Sequence, residues 1–383
     1  MSHQAAVSSP SHPVVFRFGA FGDLVMLTPM LHLLHRRYGR PCILVTSGGW
    51  SRPLFEGHPD VCRVITLKSR SSPYLLDSTQ WRLVQALETL VENPIYVCDS
   101  RRMAKFKWLL RRAGVDPSRC TFQAECEDPR FEHRVDHWLA FAKVTPAAFQ
   151  SDEHGWADTD LKHAPLLHIT QHDRDDLRAW LEARALHGPL VLLQTGNKRT
   201  FKRGRFGLVG DDRAWPCATW VQTCQSLLAA DQDVQLVLCG VPNEAPLLEM
   251  IRARVGSPRV HVAAADLPMR RLLALLEVAH SMISVDTGPA HAAAALGCPL
   301  VVLYGAESSG VWRPRSPTGS DVFTLGGPPH STTVAEIPPE AVLDCWTRLA
   351  KRMPPPAELP DDTQAIAALV GSIHDIDDPG AYR

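Results

Sequence analysis

No stretch of this chain reaches the roughly eighteen consecutive apolar residues that a membrane-spanning helix requires, so any membrane contact is expected to be peripheral. Neither charge predominates. Forty Lys and Arg stand against 41 Asp and Glu, a formal net charge of −1, whereas a dedicated nucleic-acid binder shows a basic excess at this level, so no nucleic-acid partner is expected. Ten cysteines are present, but none forms a CxxC pair. The closest spacings, Cys120 to Cys126 and Cys217 to Cys224, fit no zinc pattern, so no metal site is expected and reduced thiols of a cytoplasmic protein are the simplest account. Met1 to Pro13 offers neither a basic n-region nor an apolar core, and is read as a disordered N-terminus without a leader. Two nucleotide fingerprints are also missing. Without GxGxxG or GxxxxGK[ST], neither an NAD site nor a P-loop is indicated.

What is present is alternation. With 383 residues the chain exceeds one ordinary core, and two domains are expected. Apolar runs at 14–18, 43–46, 64–67 and 95–98 read as strands, with helices from Leu24 through Tyr38 and over 81–90 between them. Regularity weakens over 117–187, where helices around His133, His137 and Trp138 and over 173–186 suggest an interdomain connection. A second series then begins. Strands at 190–196, 235–240, 261–263, 281–285 and 300–305 alternate with helices at 220–230, 245–255 and 270–280, which predicts a second parallel sheet wound on both faces. The organisation expected is therefore 1–13 disordered, 14–187 a first α/β domain, 188–335 a second, and 336–383 a C-terminal helix over 339–352 followed by a Pro- and Asp-rich tail.

The stretch from Ser281 to Gly305 is the richest. Met282 to Val285 reads as a buried strand, Asp286-Thr-Gly turns the chain, and Pro289 suits a first helical position. Four successive alanines let the short helix lie close to a sheet before Gly297 ends it. Free N–H groups at Thr287, Gly288 and Ala290 would favour a phosphate there. The competing reading is a plain crossover capped by Asp286 or Thr287.

Asp23 has the same ambiguity, because it starts a helix just past the first strand. It is either a helix cap or a group on the ligand-binding edge of an α/β sheet. The segment 101–112 carries six basic residues interleaved with Phe106 and Trp108, so Arg101, Arg102 and Lys105 either meet an anionic acceptor or membrane surface or form a solvated face. Cations at Lys198 and Lys202, in the loop after the first strand of the second series, and at Arg213 are placed to meet phosphate oxygens. His133 and His137 are four residues apart but lack a third ligand, so packing explains them better than metal does.

Taken together, Gly22-Asp23 with Thr28-Pro29, His58-Pro-Asp60, Gly240-Val-Pro-Asn-Glu244 and Asp286-Thr-Gly-Pro-Ala-His291 followed by Gly305 resemble the heptosyltransferases, glycosyltransferase family 9. The similarity runs from about Val14 to Leu349, and the order of these fragments is more specific than any one of them. The resemblance implies a GT-B fold: two Rossmann-like domains with parallel sheets facing across a cleft, acceptor on the first and nucleotide sugar on the second.

It further implies an enzyme that transfers heptose from ADP-heptose, as donor substrate and with no cofactor, to lipopolysaccharide core or a lipid-linked glycan at the cytoplasmic face of the inner membrane. Asp23 would be the general base with Gly22 beside it. Asp286, Thr287, Gly288 and His291 would hold the diphosphate, Glu244 the ribose and Thr195 the phosphates. One position departs from the pattern: the family has lysine two residues before Trp-Pro, and this chain has Arg213 before Trp215-Pro216. An inverting transfer fits these residues, since a base activates the acceptor while cations and helix N–H groups stabilise the leaving diphosphate. Alternatives are a GT-B glycosyltransferase or epimerase acting on another nucleotide sugar, or a non-catalytic nucleotide-sugar binder.

Overall fold

The structure is a computed structural model that describes residues 11–69, 72–99, 103–126, 131–150, 155–197, 200 and 211–352. Val14–Phe16 (β1), Cys42–Ser47 (β2), Val61–Leu67 (β3), Ile95–Val97 (β4) and Cys120–Phe122 (β5) form one parallel sheet in the order β3-β2-β1-β4-β5. Leu190–Gln194 (β6), Gln235–Cys239 (β7), Val260–Ala263 (β8), Ser281–Val285 (β9), Leu300–Tyr304 (β10) and Val322–Gly326 (β11) form a second, in the order β11-β10-β9-β6-β7-β8. Each sheet starts in its middle, grows to one side through its second and third strands, and then reverses to the other. That is the doubly wound order of nucleotide-binding folds. Every residue of β1, β9 and β10 is buried, because crossover helices cover both faces and leave no side for water.

Strands β5 and β11 lie outside the expectation. Three residues, Cys-Thr-Phe, are too few to show a period inside the segment taken for a connection, and β11 alternates only weakly.

The helices, in order, are α1 (Phe21–Tyr38), α2 (Ser51–Leu54), α3 (Ser78–Glu88), α4 (Met103–Arg112), α5 (Arg134–Lys143), α6 (Gln171–Ala183), α7 (Cys217–Ala230), α8 (Ala245–Val255), α9 (Met269–Val278), α10 (Gly288–Ala295), α11 (Ser309–Trp312) and α12 (Pro339–Arg348). Among the described residues none is long and apolar enough to cross a membrane. Gly39 ends α1 at φ 66°, a left-handed conformation costly for any residue with a Cβ. Pro29 interrupts the hydrogen bonding inside α1, since it has no N–H for the Val25 carbonyl. The Thr28 hydroxyl substitutes for it, donating to that carbonyl at 2.8 Å.

Two signature residues then grip one residue of the connecting segment from both sides. Thr28 Oγ1 accepts from the Leu166 N–H at 2.7 Å, and His58 Nε2 donates to the Leu166 carbonyl at 3.1 Å. Burial lowers the His58 pKa, in keeping with a neutral ring that donates there. Asp60 receives His32 and His35 from α1 at 3.1 and 2.7 Å. These motif residues hold the scaffold.

The two sheets share apolar packing. Leu24, Leu27 and Leu31 of α1 belong to one buried cluster with Leu273 and Leu276 of α9 and Ala290, Ala292 and Ala293 of α10. The described residues up to Arg352 accordingly form one compact unit, and α12 packs on α7 and β10 of the second sheet. The sequence also suggests a weak helix over 363–374, with Ile366, Leu369 and Ile373 on one face, which lies outside the described residues.

Candidate active site at two facing sheet edges

In open α/β sheets a crevice opens where the strand order reverses, at the carboxyl ends of the two strands that flank the reversal. In the first sheet that point lies between β1 and β4, so the turn from Gly19 to Asp23 sits on it. In the second it lies between β6 and β9, so Thr195 and Asp286 flank it. The points face each other through two glycines. A Cβ on Gly22 would lie 2.7 Å from His291 Cδ2 and 3.3 Å from the Gly288 Cα, and a Cβ on Gly288 would collide with the Phe21 ring. Only residues without side chains let the N-termini of α1 and α10 approach this closely, and α10 needs its alanines because it is sandwiched between α1 and the second sheet.

Asp23 is the third residue of α1 and is not its N-cap. Its Oδ2 reaches back to accept from the Ala20 N–H at 2.6 Å, and its Oδ1 accepts from Arg17 Nη2 at 2.6 Å. The helix start favours a carboxylate there through donors and dipole together. Arg17 is itself fixed, donating to the Cys98 carbonyl at 3.0 Å and lying 4.8 Å from the centre of the Trp138 ring. A carboxylate offers about four lone-pair sites, so two acceptor positions remain after these contacts.

On the other side, no side chain caps α10. The Thr287 hydroxyl turns back to the sheet, donating to the Val285 carbonyl at 3.1 Å beside Ser284 Oγ at 3.2 Å. Asp286 instead meets Arg213, with Oδ2 3.2 Å from Nη1, which also donates to the Asp286 carbonyl at 3.0 Å. The other arm of the guanidinium faces Glu307 at 3.4 Å. Thr287 thus stands at the N-cap position of this crossover, but neither it nor Asp286 caps the helix through its side chain; among the described residues the first-turn N–H groups have no side-chain acceptor, and the Ala290 N–H donates to the Thr287 carbonyl at 3.2 Å.

Burial pushes the Asp286 carboxyl up to about 6 despite Arg213, with Glu307, Asp212 and Asp23 adding repulsion. His291, equally buried, is pushed down to about 4 although Asp23 opposes the shift, so its ring is neutral at pH 7. Its Nδ1 and the Thr195 Oγ1 are buried without a hydrogen-bond partner among the described residues. Leaving a buried polar group unpaired costs about 1–3 kcal/mol, and native proteins seldom do so without a use for it.

Glu244 closes the site on the β6–β7 side. Its Oε2 accepts from the Val241 N–H at 3.1 Å, and its carboxylate presses on Gly196, where any side chain would collide with it; a Cβ on Gly240 would meet Leu248 first, with Glu244 Oε2 at 3.0 Å. Burial raises its pKa from 4.5 to about 6. Between those values the folded chain binds more protons than the unfolded one, so stability falls as pH rises, and above pH 6 the buried charge costs about 2 kcal/mol. Glu244→Gln keeps an acceptor for Val241 and removes the charge. Thermal melts should show it more stable than wild type at pH 7.5 by up to that amount, the gain shrinking from pH 6 and vanishing near pH 4.5.

Of the residues singled out from the sequence, Gly22, Asp23, Arg213, Asp286, Thr287, Gly288 and His291 converge, with Thr195 and Glu244 on the adjacent strand ends. Lys105 lies apart on α4, donating to the Ser72 carbonyl in the loop after β3. Arg101, Arg102, Lys198 and Lys202 lie outside the described residues. His133 caps α5, accepting from the Val135 N–H at 3.2 Å, and His137 Nε2 meets the Gln123 amide. Among the described residues no group of His, Cys, Asp and Glu is placed to hold a metal ion.

Three participants escaped the sequence reading: Arg17, Glu307 and Phe21. Arg17 alone left a signal, as a charge closing the apolar run Val14-Val-Phe16.

Two doubly wound sheets with opposed switch points define a GT-B fold, the architecture of nucleotide-sugar glycosyltransferases. The sequence model of Glycosyltransferase family 9 (heptosyltransferase) matches residues 197–329, so the likeness covers most of the second sheet and leaves the first sheet and Asp23 outside. Lipopolysaccharide heptosyltransferase 3 of Escherichia coli is 31% identical over 104 residues, 27% of this chain, and the match spans only 31% of that relative. Lipooligosaccharide heptosyltransferase 2 of Haemophilus influenzae is 22% identical over 316 residues, covering 80% of this chain and 86% of the relative. The solved structure of E. coli ADP-heptose lipopolysaccharide heptosyltransferase II superposes with a TM-score of 0.65 at 18% identity, covering 88% of this chain and 97% of the other.

Proposed function

We propose that the protein transfers heptose from ADP-heptose to a hydroxyl of a lipopolysaccharide core acceptor, with inversion at the anomeric carbon. The observation that carries this reading is the placement of the Asp23 carboxylate opposite an uncapped helix start, across the Gly22–Gly288 contact. A diphosphate belongs at that helix start, among the N–H groups of Thr287, Gly288 and Ala290, with the Thr195 hydroxyl as a further donor. Glu244 stands in the helical turn Pro242–Glu244 that follows the second strand of its sheet, the region where doubly wound folds hold a ribose hydroxyl on a carboxylate. Lys198 and Lys202 belong to the same phosphate side. Gly22, Arg101, Arg102 and Lys105 belong to the acceptor side.

In this scheme Asp23 takes the proton from the acceptor hydroxyl as that oxygen attacks the anomeric carbon. The bond to the diphosphate breaks on the opposite face, so no covalent enzyme intermediate forms. Arg213 neutralises the departing charge. Its anchoring by Asp286 orients it in advance, and its contact to the half-exposed Glu307 is the one that a phosphate oxygen can replace.

The test is incubation with ADP-heptose and a heptose-deficient core acceptor, read by mass spectrometry as one added heptose with stoichiometric ADP release. Heptose addition without release of ADP, or transfer only from a uridine nucleotide sugar, rejects the assignment. Arg213→Ala should lower kcat by about 10² to 10³ if the guanidinium meets the leaving diphosphate. Single-turnover rates with saturating donor would show it.

A further inference from the structure

Two of the most exposed large apolar side chains among the described residues stand side by side: Leu75 is 77% and Leu76 81% accessible. They occupy the single helical turn Tyr74–Leu76 after β3, and their surroundings hold that turn in place. Trp81 Nε1 donates to the Tyr74 carbonyl at 2.6 Å, and the Tyr74 ring meets Trp108 edge-on at 5.1 Å. The Arg112 guanidinium lies 4.7 Å from the centre of the Tyr74 ring and 5.7 Å from that of Trp108. Asp77 caps the helix that follows, accepting from the Thr79 N–H at 3.0 Å, and Lys105 ties α4 to the Ser72 carbonyl. The leucines are thus presented to solvent by a built platform whose own aromatic members, Trp81 and Trp108, remain 43% and 44% accessible.

The platform is basic. Helix α4 contains no acidic residue; Lys107 is engaged by Glu125, but Arg111 and Arg112 at its end, and Arg82 next to Trp81 in the sequence, are exposed. Leucine tips, Trp and Tyr rings below them and arginines around the edge match the sequence of environments in an anionic bilayer surface, from acyl boundary to headgroup.

Position adds to this. All strands of the first sheet are parallel, so the loop after β3 and the start of α4 after β4 lie on the same carboxyl edge as Asp23. We infer that Leu75, Leu76, Trp81 and Trp108, with Arg82, Arg111 and Arg112, form a surface that docks the protein on an anionic lipid membrane. It deepens the proposed function in that a lipid-borne acceptor would reach Asp23 from this edge, but the docking is read without turnover.

The full chain is mixed with extruded vesicles of phosphatidylglycerol and phosphatidylethanolamine, and separately of phosphatidylcholine, and sedimented. Wild type should bind the anionic vesicles, weaken in high salt, and leave neutral vesicles largely unbound. Leu75→Ser with Leu76→Ser removes only solvent-facing apolar groups and should lower the partition coefficient at least tenfold. Arg82→Glu with Arg111→Glu should lower it by about fivefold or more per charge. Brominated lipid should quench tryptophan fluorescence in wild type and far less in Trp81→Phe/Trp108→Phe.

Unchanged transfer to a soluble, delipidated acceptor by the leucine variant would keep the chemistry and the docking separate. Failure of wild type to bind anionic vesicles overturns the inference, and so does equal binding by the leucine variant. A wild-type dimer that the leucine variant abolishes would mean that a second copy covers this surface, which also overturns it.

Discussion

Asp23→Asn should lower kcat by about 10² to 10⁴ while leaving ADP affinity within a few-fold of wild type, because the proposed base stands on one sheet and the proposed nucleotide site on the other. From the sequence alone the substitution looks neutral for stability, since Asn caps a helix about as well as Asp. The structure changes that expectation. Asp23 uses both oxygens, one on the Ala20 N–H and one on Arg17, whereas Asn presents one acceptor and one donor. Its amide nitrogen must face either an N–H or a guanidinium, so a loss of about 1–3 kcal/mol is expected. Arg17→Met separates the two effects: it removes the ion pair, keeps the carboxylate, and should destabilise with a smaller drop in kcat. Turnover by Asp23→Asn close to the wild-type rate, in protein shown to be folded by its melt, would refute the assignment of the base.

Gly288→Val should abolish detectable transfer and weaken ADP binding at least tenfold by calorimetry. The sequence suggests that a side chain here would crowd the diphosphate and spare the fold. In the structure the added Cβ meets the Phe21 ring, a protein group on the opposite sheet. Overpacking of this kind costs about 1–3 kcal/mol, and relief requires the N-termini of α1 and α10 to move apart, which also separates Asp23 from the donor. Pairing the change with Phe21→Ala should restore much of the stability, and with it ADP binding, if the ring is the obstacle. If Phe21→Ala rescues nothing, the lost affinity belongs to the diphosphate site itself.

Much of the architecture was legible because parallel sheets buried on both faces write themselves as uninterrupted apolar runs. Ser281–Val285 and Leu300–Tyr304 stand out for that reason, and Cys120–Phe122 does not, being one short strand amid irregular chain. The site was legible in part. The turn Asp286-Thr-Gly announced a helix start, but whether Thr287 capped it depended on a hydroxyl that in the fold bonds the Val285 carbonyl. Thr28 and His58 carried the family resemblance as strongly as Asp23 did, and only their shared grip on Leu166 shows that they act on the scaffold.

The sequence by itself determined the local terms: which segments are strands, where glycine and proline stop and start helices, and which residue types stand at the carboxyl ends of strands. These follow from short-range sterics and periodicity. Tertiary structure decided which of those ends oppose one another. Nothing in the spacing of Gly22 and Gly288 says that they touch, because that contact depends on two sheets packing through α1 and α10 into a shared core. It also decided the electrostatics, since the same carboxyl that would ionise freely on an exposed turn is pushed up to about 6 at Asp286 once water is excluded from it.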